Sequence, residues 1–253
     1  MRMKLALLSD LHANLQAFEA CIAHARAAGA TQFALLGDFV GYGGDPGAVV
    51  DRVMRLVDAG AFAVRGNHDA LAVLPPVAAQ TLGESSAAWT HAQLDATQHA
   101  FLDALPLMRT HEDCLLVHAS AHAPERWLYV DDARSAAQSL RAALDAHPQT
   151  RFIFGGHVHR QSLYYRGAGA ELMAFAPTPG VVLPVPRHRH WVATVGSVGQ
   201  PRDGDARAMY ALFDTQRAKL VFQRVRYDVA AAVRAIDRAG VDAYSSQRLV
   251  AGR

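Results

Sequence analysis

An apolar run, Met3–Leu8, broken only by Lys4, opens the chain and stops at Ser9-Asp10. Such a run predicts a strand covered on both faces, as in a parallel sheet lying between helices. Asn14 then stands where a helix N-cap belongs, and Leu15, Phe18 and Ile22 follow on one helical face. Phe33–Leu36 predicts a second buried strand, and Ala61–Val64 a third. Between them, Asp45-Pro46 supplies a cap and a first helical position ahead of Val49, Val50, Val53 and Val57. This βαβαβ order implies parallel strands with helices on the faces.

Residues 70–105 read as helical, with Asp95 and Gln98 spaced as a capping box before Phe101, Leu102 and Leu105. Strands are expected at Leu115–Val117 and Phe152–Phe154, with a helix over Ala133–Ala146 between them. Beyond residue 160 the pattern becomes hairpin-like: Leu163–Tyr165, Leu172–Phe175, Trp191–Val195, Met209–Phe213 and Leu220–Val225. Asp228–Ala239 reads as an amphipathic closing helix, and Gly167–His190, rich in Gly and Pro, as a long hairpin or surface loop. The expected α/β architecture is one domain over 1–253, with two packed β-sheets, a helical insertion around 70–105 and a long hairpin or loop around 167–190.

Composition narrows the partners. With 253 residues, 51% apolar and 19% charged, the chain can bury a full core without disulfides, and disorder is excluded as a general state. The net charge of +2 rests on basic residues scattered among alanines, with Lys4 and Lys219 the only lysines. No polyanion-coating face is expected, so a nucleic-acid partner is disfavoured. Arg187-His188-Arg189-His190, the dense basic stretch, reads as a solvated loop. Cys21 and Cys114 stand far apart in apolar settings, which argues against a disulfide, a CxxC pair or a thiolate metal site. No apolar run has membrane-spanning length, and Met3–Leu8 is too short for a signal core. A cytoplasmic protein that meets no membrane is expected.

Five polar clusters interrupt the strands, each just after an apolar run. They are Asp10-Leu-His12, Gly37-Asp38, Gly66-Asn67-His68-Asp69, His118 and Gly156-His157-Val-His159. In a parallel sheet the strands' C-terminal ends share one edge, so these clusters should converge. Alternation along extended chain would aim Asp10 with His12, and His157 with His159, into one crevice. The donors gathered there are carboxylates, imidazoles and one amide, with no thiolate. That set suits Mn, Fe, Ni or Zn, and it holds too many ligands for one tetrahedral ion. Two divalent ions sharing one carboxylate would use them all.

The series DxH, GDxxxYG from Gly37 to Gly43, GNHD, an isolated His after a strand, and GHxH resembles the calcineurin-like metallophosphoesterase superfamily. The run Gly196-Ser-Val-Gly-Gln-Pro-Arg-Asp-Gly204 is similar to small bacterial phosphodiesterase-like members, which extends the likeness to nearly the whole chain. The pattern departs at Ala13, where Gly is common, and at Thr194-Val195-Gly196-Ser197, where many members read Asn-Pro-Gly-Ser. The resemblance implies a four-layer αββα sandwich. It implies that Asp10, His12 and His159 hold one metal with Asp38, and that Asp38 bridges to a second metal held by Asn67, His118 and His157. His68 would face the substrate as the acid, and Asp69 would orient its ring. A metal-bridged hydroxide would be the nucleophile.

Three further residues are candidates for substrate contact. Arg65 precedes GNHD and would either reach phosphate or pair with a surface carboxylate. Tyr42 lies in the Gly-rich turn after Asp38 and would line the cleft or simply pack there. Arg202 would meet a phosphate oxygen through forked hydrogen bonds, or else pair with Asp203 or Asp205. The expected activity is that of a phosphodiesterase on a small organic or nucleotide substrate, with manganese the leading metal. A phosphomonoesterase, of protein or nucleotide substrates, is the alternative within the class. A non-catalytic protein-binding scaffold of the same fold is the alternative outside it, and the presence of His68 argues against it.

Overall fold

The first strand divides its side chains between two layers. In β1 (Lys4–Leu8), Ala6 and Leu8 join a core shared with helices, while Leu5 and Leu7 join a second core between two sheets. β2 (Gln32–Leu35) repeats this, with Phe33 and Leu35 on the helix side and Ala34 on the sheet side. Past the half-buried Lys4 and Gln32 that start them, these strands are buried on both faces, which is why Leu5–Leu8 and Phe33–Leu35 are continuously apolar. The computed structural model describes residues 3–167, 171–240 and 243–253.

Further strands follow in chain order as β3 (Phe62–Ala63), β4 (Met108–His111), β5 (Cys114–Val117), β6 (Phe152–Gly155), β7 (Gln161–Arg166) and β8 (Leu172–Phe175). The last four are β9 (Val182–Pro184), β10 (Trp191–Val195), β11 (Ala208–Asp214) and β12 (Lys219–Val225). They form two six-stranded sheets, ordered β3-β2-β1-β11-β12-β9 and β4-β5-β6-β10-β7-β8. Strands β1, β2 and β3 are parallel in the first sheet, and β5, β6 and β10 in the second. Between the sheets, Phe213 lies 4.7 Å from Phe152 and 5.2 Å from Phe154, ring centre to ring centre. Outside the second sheet, Leu115, Val117 and Ile153 bury against Ala136 and Leu140 of a helix. The result is the four-layer αββα arrangement.

The helices are α1 (Leu15–Ala27), α2 (Pro46–Asp58), α3 (Asn67–Val73), α4 (Leu82–Gln93), α5 (Ala96–Ala104), α6 (Ala133–Ala146), α7 (Val229–Ala239) and α8 (Ala243–Ala251). Asn14 caps α1 by accepting from the Ala17 N–H at 3.0 Å, and Asp95 and Gln98 form the reciprocal box at α5. Asp45 does precede Pro46 at the start of α2, but it makes no side-chain cap bond there. Its carboxylate accepts instead from Gln16 at 3.1 Å and ties α2 to α1.

The basic stretch at 187–190 is not a free solvated loop. Arg187 donates to Asp113 at 2.8 Å and to the Thr215 carbonyl at 2.7 Å, and Arg151 lies 2.7 Å from the His190 ring. The stretch 167–190 contains β8 and β9, and its residues 168–170 lie outside the described residues. Both cysteines are buried free thiols, which burial pushes up in pKa and keeps inert. Among the described residues, no helix is long and apolar enough to cross a membrane.

Candidate metal centre

The five polar clusters meet at one place, reached from two sheets rather than one. Asp10 and His12 follow β1, Asp38 follows β2, and Asn67 and His68 follow β3, all in the first sheet. His118 follows β5, and His157 and His159 follow β6, in the second. The C-terminal ends of both parallel blocks therefore open on a common cleft.

The backbone takes an unexpected route into that cleft. Asp10, His12, Asp38, His157 and His159 have φ of 55°, 48°, 53°, 66° and 58°, in the left-handed region rather than extended. Alternation along a strand is thus not what aims these pairs. Each chain turns sharply as it leaves its strand, at a cost of about 1–3 kcal/mol per residue that the surrounding packing must hold. Two glycines permit the approach: a side chain at Gly66 would overlap the Asp38 carboxylate, and one at Gly156 would overlap that of Asp10.

Backbone donors then fix the carboxylates. Asp10 accepts from the His157 N–H at 3.1 and 2.9 Å, and Asp38 Oδ1 accepts from the His68 N–H at 2.8 Å. Backbone carbonyls fix the rings: His12 Nδ1 lies 3.1 Å from the Val40 oxygen, His118 Nδ1 2.7 Å from Leu36, and His159 Nδ1 2.5 Å from Gln200. A carbonyl only accepts, so each Nδ1 carries the proton, and in the neutral ring Nε2 presents a lone pair. Those lone pairs face one another. His12 Nε2 and His159 Nε2 are 3.0 Å apart, with Asp10 Oδ1 3.2 Å from the latter. His118 Nε2 meets Asn67 Oδ1 at 3.1 Å and both Asp38 Oδ2 and His157 Nδ1 at 3.2 Å.

Electron pairs gathered this closely call for positive charge. Asp10 and Asp38 are ionised: burial alone would raise them, but the neighbouring histidines hold both well below the usual carboxylate range. Burial holds His12 down, with His159 acting in the same sense, and brings His157 to about 4. His118 goes the other way. Burial opposes its charge, yet the Asp38 and Asp10 carboxylates lift it to about 9. A proton there answers the same field that a cation would. Donor atoms of Asp10, His12 and His159 lie within 4.8 Å of one another, as do those of Asp38, His118 and His157. Either group could hold a metal ion.

A family model, the calcineurin-like phosphoesterase superfamily domain, matches residues 3–218. The chain belongs to that superfamily. A solved metallophosphoesterase from Sphaerobacter thermophilus is 33% identical, with a TM-score of 0.86 and 100% of both chains covered. An uncharacterized protein of Methanocaldococcus jannaschii is 29% identical over 261 residues, 98% of each chain. A hypothetical protein from Pyrococcus horikoshii shares the fold, at 17% identity and a TM-score of 0.74 over 99% of each chain. The protein is accordingly a hydrolase of phosphate esters.

Within this phosphoesterase, His68 is buried beside the two groups, 4.6 Å from the Tyr42 ring and 5.1 Å from the His12 ring. Its Nδ1 has no hydrogen-bond partner. Asp69 does not orient that ring. As the third residue of α3 it turns back, and its carboxylate accepts from the N–H groups of Asp38 at 2.9 Å, Phe39 at 2.8 Å and Gly66 at 2.9 Å. It shapes the Asp38 turn, and its pKa rises to about 7 through burial and the Asp38 charge.

Tyr42 lies in the site, 4.9 Å from the His12 ring, with its N–H donating to Ser86 of α4 at 2.8 Å. Arg65 turns away from the cleft to Asp103 at 3.1 Å, the surface pair rather than the phosphate contact. Arg202 pairs with neither Asp203 nor Asp205, since those carboxylates meet Arg224 and Arg207. Its guanidinium lies 5.9 Å from the Tyr42 ring centre and donates to Gln200 Oε1 at 3.0 Å, with Nε buried and unpaired.

Some of the phosphoesterase's working parts carry no titratable signal. The Gly196–Gly204 run sews the two ligand loops together: the Val198 and Gly199 N–H groups donate to the Ser9 and Asp10 carbonyls at 2.9 Å, and the Arg202 N–H to His159 at 3.3 Å. Ser197 donates to the Asp10 carbonyl at 2.8 Å. Trp127 and Tyr129 stand at the cleft, Tyr129 stacked on His157 at 4.2 Å and Trp127 6.0 Å from His118. The only sequence cue was a pair of aromatics in a short polar stretch, Pro124-Glu-Arg-Trp-Leu-Tyr129, belonging to no periodic pattern.

Proposed function

We propose that the protein is a dimetal phosphodiesterase. The observation that carries this reading is Asp38 Oδ2, which lies between the two lone-pair clusters, 3.2 Å from His118 Nε2 and 3.9 Å from His12 Nε2. Asp10, His12, His159 and Asp38 would hold one ion, and Asp38, Asn67, His118 and His157 the other. Nitrogen and oxygen donors without a thiolate suit manganese, with iron, nickel or zinc as alternatives. Two such ions would supply Lewis-acid charge and make a water acidic enough to serve as nucleophile near neutral pH.

The chain's own residues would do the rest. His68, unligated at Nδ1 and pressed between Tyr42 and His12, would pass a proton to the leaving oxygen. Arg202 would pair with a nonbridging phosphate oxygen through its buried Nε, which has no other partner among the described residues. Asp69 would keep Asp38 in its strained turn. The cleft beyond Asn67 and His157 offers room for a second ester substituent beside the metal centre, which favours a diester.

Chelation followed by dialysis should abolish hydrolysis of a bis-aryl phosphate, and manganese should restore it at two ions per chain. Full turnover in protein shown by elemental analysis to be metal-free would overturn the reading. Arg202→Ala should raise KM roughly tenfold, the value of one charge-assisted hydrogen bond, with metal content and thermal stability unchanged. Unaltered kinetics would remove Arg202 from the site.

A further inference from the structure

We infer that the cleft leading away from Asn67 and His157 binds an uncharged planar ring on the substrate, a nucleobase or an aryl group, with Trp127 and Tyr129 as the residues that select it. This rests on the phosphodiesterase reading and names the substrate class. The cleft has a volume of about 490 Å³ and is continuous with the metal centre, since Asn67 and His157 form its inner end. Its lining combines aliphatic side chains, Leu71 and Leu74 on and just past α3, with the aromatic Trp127 and Tyr129. The lining contains no Lys, Arg, Asp or Glu.

That composition decides between ligand types. A polyphosphate chain or a phosphopeptide with charged neighbours would find no counter-charge here, and its desolvation would go unanswered. A flat uncharged ring suits a lining that is part aliphatic and part aromatic. Tyr129 is stacked at 25° on His157 and is 52% exposed, so its outer face is free to continue the stack. Leu74, also in the lining, is 80% exposed. Binding a ring would cover both.

The backbone gives an independent indication. Trp127 adopts φ +53°, and Ala123 four residues earlier φ +48°, on either side of the one-turn 3-10 helix Pro124–Arg126. A bulky aromatic residue in the left-handed region is costly, and strain of this kind gathers where a side chain must be presented. Here it sets the indole at the cleft wall, against His118.

The test uses the metal-loaded full chain and titration calorimetry with phosphate monoesters, which a phosphodiesterase binds as products without hydrolysing them. Adenosine 5′-monophosphate and phenyl phosphate should bind at least about tenfold tighter than ribose 5-phosphate and methyl phosphate, in line with one ring stacked on aromatic side chains. Phenyl phosphate matching the nucleotide assigns the cleft to aryl groups in general, and a tighter nucleotide assigns it to bases. Trp127→Ala and Tyr129→Ala should each erase most of the preference, and Trp127→Phe should keep it. Equal binding of ring-bearing and ring-free esters, or a preference that survives in both alanine variants with their fold verified by circular dichroism, overturns the inference. Neither result would touch the phosphodiesterase reading, which fails separately if the metal-loaded protein hydrolyses no diester.

Discussion

Asp38→Ala should cost the protein its metal and its activity together. Three contacts meet at this residue, two of them through the carboxylate and one through the backbone. Oδ2 lies between the nitrogen clusters, Oδ1 accepts the His68 N–H at 2.8 Å, and the Asp38 N–H is itself held by Asp69 at 2.9 Å. Burial would raise its pKa, yet His118 and His68 keep it well below the ordinary value, so it is a full anion at the centre of the site. Losing only a hydrogen-bond partner of a metal ligand costs roughly 10–100-fold in metal affinity, and losing a shared ligand should exceed about 100-fold. Elemental analysis after dialysis should find fewer than two ions per chain, with turnover lowered in parallel. Asp38→Asn separates charge from shape, because the amide oxygen still accepts from the His68 N–H. It should lose metal too. Two ions retained in either variant would mean that Asp38 does not bridge them.

What could be read from the chain, and what could not, follows from the kind of force involved. The ligand clusters were legible because each follows a buried apolar run, and a strand with both faces covered announces where it ends. Their aim was not legible. The expected alternation along extended chain is replaced by left-handed turns at Asp10, His12, Asp38, His157 and His159; Asp and His enter that region more readily than most side chains, but no sequence pattern says which of them will do so. Asp69 misled for a related reason. It is next to His68 in sequence, but helix α3 begins at Asn67, so the third helical position points back at the Gly66 N–H. Residue 70 had marked the start of the helical stretch, three positions late.

Edge elements were missed where burial is thin. β4 exposes Arg109 and Thr110, and β9 is three residues long and largely open, so neither carries an apolar run. α8 buries Ser245 and Leu249 and keeps Val250 outside, too little for a helical stripe to stand out. Arg65 and Arg202 show the limit for charged side chains. Arg65 took the surface pair that was one of its two readings, with Asp103, whereas Arg202 passed over its neighbours Asp203 and Asp205 for Tyr42 and Gln200. Which carboxylates are already engaged is a property of the folded surface, not of spacing along the chain.

His68→Ala should lower kcat on the order of 10²–10⁴ while both ions remain, the loss expected for a general acid. The proposed acid role rests on the ring's setting: it is buried, flanked by Tyr42 and His12, and unbonded at Nδ1 among the described residues. Donor atoms of His68, His12 and Asp38 also lie within 4.8 Å of one another, so a ligand role is the competing assignment. Metal content distinguishes them: loss of an ion with the imidazole makes His68 a ligand. The leaving group then separates proton transfer from charge stabilisation. Nitrophenolate departs without a proton, whereas an alkoxide needs one. The variant should therefore retain much more of its rate on a nitrophenyl diester than on an alkyl diester. An equal loss on both, with metal intact, would assign His68 to stabilising phosphoryl charge and leave the leaving group to take its proton from water.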